Sequence, residues 1–278
     1  VKFTSKCLSG LALCVVTLGL FAATPVNLNT PAAKLVTKVL NGQGQITEAF
    51  PAVNGLTGFV VEAKQGGNSG ILYADSKGQY LFAGSIINAK GQDLTQLYTN
   101  EYINSKIAGP AYAAVMNLNT FTSGSDKAPH KIIVMIDPNC IYCHLLYNAL
   151  QPLIAEGQVQ VRWLPVAFRA ASSAGMAAAM LNAGSDAAAS KLLDANEAGF
   201  NDQTEQGGLA PLQTNAKDPA ISAAFDKVTQ NTQFFMKSGL VGTPAILYKS
   251  TSGKIVLLPG YVSGKAFTAM VSDAGSSW

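Results

Sequence analysis

The chain has 278 residues, 48% of them hydrophobic, with 19 basic and 16 acidic side chains and a formal net charge of +3. Taking Lys2 and Lys6 of the N-terminal segment from the 19 basic residues leaves 17 against 16 acidic ones. That balance gives no case for a nucleic-acid partner or a charged membrane surface, and the length suits two modest domains better than one large one.

The first residues carry Lys2 and Lys6, then an apolar core from Leu8 to Leu20, then small residues at Ala22-Ala23-Thr24. This is the layout of a secretory signal peptide cleaved near Ala22 to Thr24. The apolar run is short for a spanning helix, which needs about 20 residues. Leu13 before Cys14, and the long apolar tail after it, fit a lipoprotein anchor poorly. Cleavage removes Cys7 and Cys14 and leaves Cys140 and Cys143 as the cysteines of an exported chain. In an oxidising compartment such a pair can be reoxidised or held reduced by partners.

Ala33, Leu35, Val36, Val39 and Leu40 recur at helical spacing and predict a helix over 31–40, stopped by Asn41-Gly42. β-like pieces over 46–50, 56–63, 70–74 and 79–87 follow, separated by Gly-rich and Asp75-Ser76-Lys77-Gly78 turns, and predict an antiparallel meander. Leu94 to Met116 reads as a connector, helical in part and interrupted at Gly109-Pro110. A strand over Ile132–Ile136 then leads through Asp137-Pro138-Asn139 into Cys140-Ile141-Tyr142-Cys143. From there a helix runs to about Glu156, kinked at Pro152 and capped by Gly157. Val159 to Leu164 alternates as a strand. An Ala-rich stretch from Ala170 to about Phe235 predicts inserted helices. Strands through Gly242–Tyr248 and Lys254–Leu258 flank a Thr251-Ser252-Gly253 turn, and a helix closes the chain after Ser263. A βαβ start, a helical insertion and a final hairpin plus helix describe a thioredoxin-like fold. There is no internal repeat.

A CxxC at the first turn of a helix after a strand signals thiol–disulfide chemistry rather than a metal site. The unpaired N–H groups and the positive end of the helix dipole favour thiolate, the reactive form. Cys140 is expected to be the exposed nucleophile and Cys143, one turn deeper, the resolving thiol. His144, if protonated, would further stabilise the thiolate, and Tyr142 offers an exposed apolar contact to unfolded substrate. Thr243-Pro244 is expected to be a cis peptide bond facing the cysteines. Other uses of the pair stand beside this one: a buried structural disulfide, or, because Cys140-Ile-Tyr-Cys143-His144 reads C-x-x-C-H, c-type haem attachment. Zinc would need more ligands than two cysteines and His144, with His130 the one other histidine. His144 and Tyr142 also read as ordinary polar and aromatic surface positions.

Asp137-Pro138-Asn139-Cys140-Ile141-Tyr142-Cys143-His144, with Val241-Gly242-Thr243-Pro244-Ala245 downstream, resembles the periplasmic thiol:disulfide interchange proteins of the DsbC/DsbG type. The likeness extends to Leu72-Tyr73-Ala74-Asp75-Ser76-Lys77-Gly78-Gln79-Tyr80 and Asn88-Ala89-Lys90-Gly91-Gln92-Asp93-Leu94, similar to that family's N-terminal domain and linker. Leu164-Pro165-Val166, Ser173 and Ala177-Ala178-Ala179 look like the start of its helical insertion. The dipeptide between the cysteines is Ile-Tyr, where DsbG-like members usually have Pro-Tyr and DsbC-like members Gly-Tyr. The second, structural disulfide of DsbC-like members is missing, which leans the resemblance toward the DsbG-like branch.

The resemblance implies a V-shaped homodimer. Its parts are a signal peptide over 1–24, a cystatin-like N-terminal dimerisation domain over 25–92, a linker over 93–128 and a thioredoxin-like catalytic domain over 129–278, with the helical insertion at about 170–238. It implies that the backbone at Thr243 pairs with extended substrate and that Pro244, lacking an N–H, keeps metals from being captured. The implied function is isomerisation or reduction of disulfides, or of sulfenic acids, in misfolded or oxidised exported proteins in the periplasm. A membrane electron donor would keep the dithiol reduced, with no cofactor and no metal. A dithiol oxidase and a holdase chaperone using the dimer cleft are the alternatives.

Overall fold

The computed structural model describes residues 26–64, 69–215, 217–240 and 242–278; the expected signal peptide, with Cys7 and Cys14, lies outside the described residues. The N-terminal unit starts with α1 (Pro31–Leu40), whose first turn is capped by the Thr30 hydroxyl accepting the Ala33 N–H at 3.1 Å. Asn41, at φ 44°, closes the helix in the left-handed region. Ala32, Ala33 and Val36 bury one face of α1 against Phe59 and Ala74 of the sheet. That sheet is an antiparallel meander of β1 (Gly44–Pro51), β2 (Thr57–Ala63), β3 (Ser69–Ala74) and β4 (Leu81–Ala83). The turn before β4 needs Gly78, where φ is +64° and a Cβ would meet the Pro31 carbonyl oxygen at 2.3 Å.

β4 is much shorter than the 79–87 expected. After Gly84 the chain leaves the ladder, and the Ile86 N–H donates to the Thr95 hydroxyl at 2.9 Å instead of to a strand. The connector is one helical run, α2 (Leu94–Thr99), a π-helical turn over Asn100–Asn104, and α3 (Ser105–Val115). Gly109-Pro110 does not interrupt it. Pro110 and Lys106, whose carbonyl loses its N–H partner, both lie on the exposed face, while Ala108, Ala111 and Val115 on the buried face hold the helix. Tyr98 and Tyr102 of this run cover the second face of the N-terminal sheet; the rings of Phe50 and Tyr102 stack with centroids 4.0 Å apart.

The C-terminal sheet has the order β5-β7-β6-β8-β9. β6 (His130–Ile136), α4 (Ile141–Ala155) and β7 (Val159–Pro165) form the parallel βαβ unit, with Ile132 opposite Val161 and Val134 opposite Trp163. β8 (Ala245–Lys249) and β9 (Ile255–Pro259) extend it antiparallel, and α8 (Gly264–Asp273) follows. β5 (Phe121–Ser123) adds an edge to β7 that three residues are too short to announce by pattern. Ile132 to Ile136 are all buried because the sheet is covered on both sides. Ile132, Val134 and Ile136 meet Leu146 and Leu150 of α4, whereas Ile133 and Met135 meet Ala108, Ala111 and Val115 of α3. The connector's last helix therefore belongs to the core of the C-terminal unit. Between β7 and β8 lie α5 (Ser173–Leu181), α6 (Asp186–Ala198) and α7 (Pro219–Lys237). Small residues let α5 and α7 approach closely, Ala177 and Ala178 packing against Ala224 and Val228.

Candidate functional site

β6 ends at Ile136, and Asp137-Pro138-Asn139 turns the chain so that Cys140 becomes the N-cap of α4. The buried Asp137 carboxylate holds that turn. It accepts from the N–H groups of Asn139 (3.0 Å), Phe168 (2.8 Å) and Arg169 (3.0 Å) and from the Ser173 hydroxyl (2.7 Å). The Asn139 side chain donates to Ser172 and Ser173 and accepts from the Gly207 N–H at 3.0 Å. Residues 168–173 and Gly207, distant in sequence, thus converge on Asp137 and Asn139.

Cys140 and Cys143 are both free thiols. Cys143 lies on the buried side of α4, in the same cluster as Leu146 and Leu150. Cys140 was expected to be exposed, yet it is only 2% exposed. The loop carrying the cis Thr243–Pro244 bond closes over it, with the Cys140 Sγ 3.2 Å from the Thr243 carbonyl oxygen.

Position separates the two thiols electrostatically. Hydrogen bonding from the Cys143 thiol is the main reason the Cys140 pKa is lowered to about 6, against the opposing cost of burial. The Thr243 side chain and the N–H groups of Cys143 and Tyr142 add to the lowering. Burial drives the Cys143 thiol in the opposite direction, well above the ordinary value, with the neighbouring Cys140 charge adding to the rise. The Thr243 hydroxyl is buried without a hydrogen-bond partner of ordinary geometry. Its influence on both sulfurs makes a thiolate the natural acceptor for it.

The structure brings Cys140, Cys143, Thr243 and Pro244 together. Tyr142 sits beside them and points outward, 56% exposed, its ring 6.4 Å from that of Tyr261. Leu145 and Phe168 are also exposed. His144 is turned away from the sulfurs toward α6. Its Nδ1 lies 2.8 Å from Glu197 Oε2, its Nε2 lies 2.9 Å from Asn148 Nδ2, and its ring stacks on Phe200 at 4.5 Å. The buried Glu197 carboxyl is pushed up by desolvation, which hydrogen bonds from Asn196 and His144 oppose. Cys143 enclosed in the core and His144 engaged by Glu197 present no common face to a porphyrin, as C-x-x-C-H haem attachment requires.

Sequence reasoning missed Asp137, Asn139, Ser173, Asn196, Glu197 and Gly207 as parts of the site. Asp137 and Asn139 read as ordinary turn residues, and the others lie 34 to 68 positions from their partners, beyond any local pattern.

A family model described as a thioredoxin-like domain matches residues 119–275, and one described as the disulfide bond isomerase protein N-terminal domain matches residues 29–96. A Pseudomonas aeruginosa protein named thiol:disulfide interchange protein DsbG is 27% identical over 245 residues, covering 87% of this chain and 90% of its own. The Escherichia coli protein of the same name is 24% identical over 238 residues, covering 85% and 90%. Among solved structures, a linker-deletion mutant of Proteus mirabilis ScsC overlays with a TM-score of only 0.43 at 20% identity, covering 63% of this chain and 83% of its own. With both domain types matched in order and the CxxC at the first turn of α4, the chain belongs to the thioredoxin-like family and, within it, to the DsbC/DsbG family of thiol:disulfide interchange proteins, which are thiol–disulfide oxidoreductases.

Proposed function

We propose that this protein isomerises or reduces disulfides in exported proteins, in the periplasm and as a homodimer, with Cys140 attacking and Cys143 resolving. One observation carries the roles of the two thiols: they share one motif beside the Thr243–Pro244 loop and are driven apart, Cys140 down to about 6 and Cys143 up. At neutral pH Cys140 is a thiolate and Cys143 keeps its proton.

The Cys140 thiolate attacks one sulfur of a substrate disulfide. The S–S bond breaks, the other substrate sulfur leaves as thiolate and takes a proton, and a Cys140–substrate mixed disulfide forms. Spending the Cys140 charge removes one of the causes that hold Cys143 protonated. Cys143 then loses its proton and attacks the Cys140 sulfur, releasing the second substrate thiolate. Two electrons have passed to the substrate, and the enzyme holds a Cys140–Cys143 disulfide, which a membrane electron donor reduces again. In isomerisation a substrate thiol attacks the mixed disulfide instead, and the dithiol is recovered without net electron transfer. With a sulfenic acid as substrate, the same attack expels hydroxide, which leaves as water. Tyr142, Leu145 and Phe168 are exposed apolar side chains that would meet unfolded substrate. Dimerisation is supported by the match of the N-terminal unit to an isomerase N-terminal domain and by β1, eight residues long at the sheet edge and open to pairing with a second copy.

The depressed Cys140 pKa also favours a dithiol oxidase, because stabilising the thiolate stabilises the reduced pair and makes the disulfide a stronger oxidant. Scrambled ribonuclease separates the two readings. Reduced protein is expected to restore ribonuclease activity, and Cys140→Ala to restore none. No recovery, together with fast oxidation of reduced ribonuclease by the disulfide form, would mean an oxidase.

A further inference from the structure

The helical insertion does more than fill space beside the sheet. It grips the chain on both sides of Cys140. Upstream, the Asn196 side chain, itself fully buried, donates to the Pro138 carbonyl at 3.0 Å, and the Gly207 N–H donates to the Asn139 side chain at 3.0 Å. Downstream, Glu197 receives the Asn196 amide at 2.9 Å on one oxygen and meets His144, in the first turn of α4, at 2.8 Å on the other. The strap over residues 199–209 that follows α6 is drawn tight to make these contacts. The Gly208 N–H donates to the Asn196 carbonyl at 2.8 Å. A Cβ added at Gly207 would lie 2.1 Å from Asn196 Oδ1 and 2.6 Å from the Pro138 carbonyl oxygen. Both are far inside the closest approach of real side chains, and one is backbone of the active-site turn.

We propose that Asn196 and Gly207 are positioning residues for the redox pair: through them the insertion fixes the Pro138–Asn139 turn and keeps the Cys140 sulfur in register with its hydrogen-bond donors. This rests on the reading of Cys140 as the attacking thiolate. The donors that favour the thiolate are the Cys143 thiol, the Thr243 side chain and the N–H groups of Tyr142 and Cys143. None of them belongs to the insertion. What the insertion controls is where the turn delivers Cys140 to that ring of donors. Hydrogen bonds weaken steeply with misalignment, so a displaced turn loses several of them together. Asn196→Ala leaves the Pro138 carbonyl unpartnered, and Gly207→Ala pushes directly on it.

The test uses the full reduced chain and follows thiolate absorbance and alkylation by iodoacetamide against pH. Asn196→Ala and Gly207→Ala are expected to raise the Cys140 midpoint by about one pH unit and to slow alkylation at pH 6 about fivefold. Ser190→Ala is the control on the same helix. It removes the contact of 2.7 Å to Ser123, which packs α6 without reaching the turn, and is expected to lower stability while leaving midpoint and rate at their wild-type values. If Gly207→Ala does not fold, Asn196→Ala decides alone. Wild-type midpoint and rate in the Asn196 and Gly207 variants would overturn the proposal, as would an equal change in Ser190→Ala. A wild-type protein with no sulfur titrating below the ordinary thiol range would remove the reading of Cys140 itself, a failure distinct from unchanged variants on a normal wild-type curve.

Discussion

Cys143→Ala is expected to accumulate a mixed disulfide with substrate, and Cys140→Ala to form none. The thiolate at Cys140 attacks without help from its neighbour, but only Cys143 lies on the inner side of the same helical turn, where it can displace substrate from Cys140. Removing it stops the cycle halfway, and release falls to whatever rate an external thiol supplies. Non-reducing gels of the variant incubated with a disulfide-bonded protein measure this directly. Accumulation by Cys140→Ala with none by Cys143→Ala would reverse the roles assigned to the two sulfurs, and equal accumulation would remove the distinction between them. Because the Cys143 thiol is also the main donor to Cys140, Cys143→Ala is expected to trap more slowly at pH 6 than at pH 8.

Asp137→Ala is expected to cost roughly 3 to 5 kcal/mol of stability in urea denaturation, and to reduce Cys140 alkylation in the fraction that stays folded. Its buried carboxylate satisfies three backbone N–H groups and one hydroxyl. Alanine orphans them where water does not reach. Asp137→Asn keeps one acceptor oxygen and is expected to lose less. A loss under about 1 kcal/mol for the alanine variant would mean that the turn is held by the insertion alone.

Much of this architecture is legible in local signals. Helical spacing over 31–40 and the Asn41-Gly42 stop mark out α1, and the apolar Ile132–Ile136 run marks the strand that leads to the cysteines. Cys140-Ile-Tyr-Cys143 with Thr243-Pro244 points to the redox centre, and those four residues do meet. Signals failed where context outweighs propensity. Pro110 stays inside a helix because it and Lys106, four positions before it, lie on an exposed face. Cys140 is covered because a loop 103 residues away folds over its sulfur. The partner of His144 is equally remote: nothing near position 144 indicates that Glu197, 53 residues on, will take its Nδ1.

Charge at Cys140 also links acidity to stability. Its folded pKa of about 6 lies below that of an ordinary thiol, so the reduced fold gains stability that is fully present above the unfolded value and is lost as pH falls through about 6. Cys143 works in the opposite sense: its raised pKa contributes stability at neutral pH that is lost in strong alkali.

The central claim is that one of two neighbouring thiols is a thiolate at neutral pH, and titration of thiolate absorbance in the reduced protein tests it most directly. The structure predicts one sulfur ionising near pH 6, absent from Cys140→Ala, with the second still protonated well above the ordinary thiol value of 9.0. Two sulfurs ionising together near 9.0, or a low midpoint that survives Cys140→Ala, would contradict it.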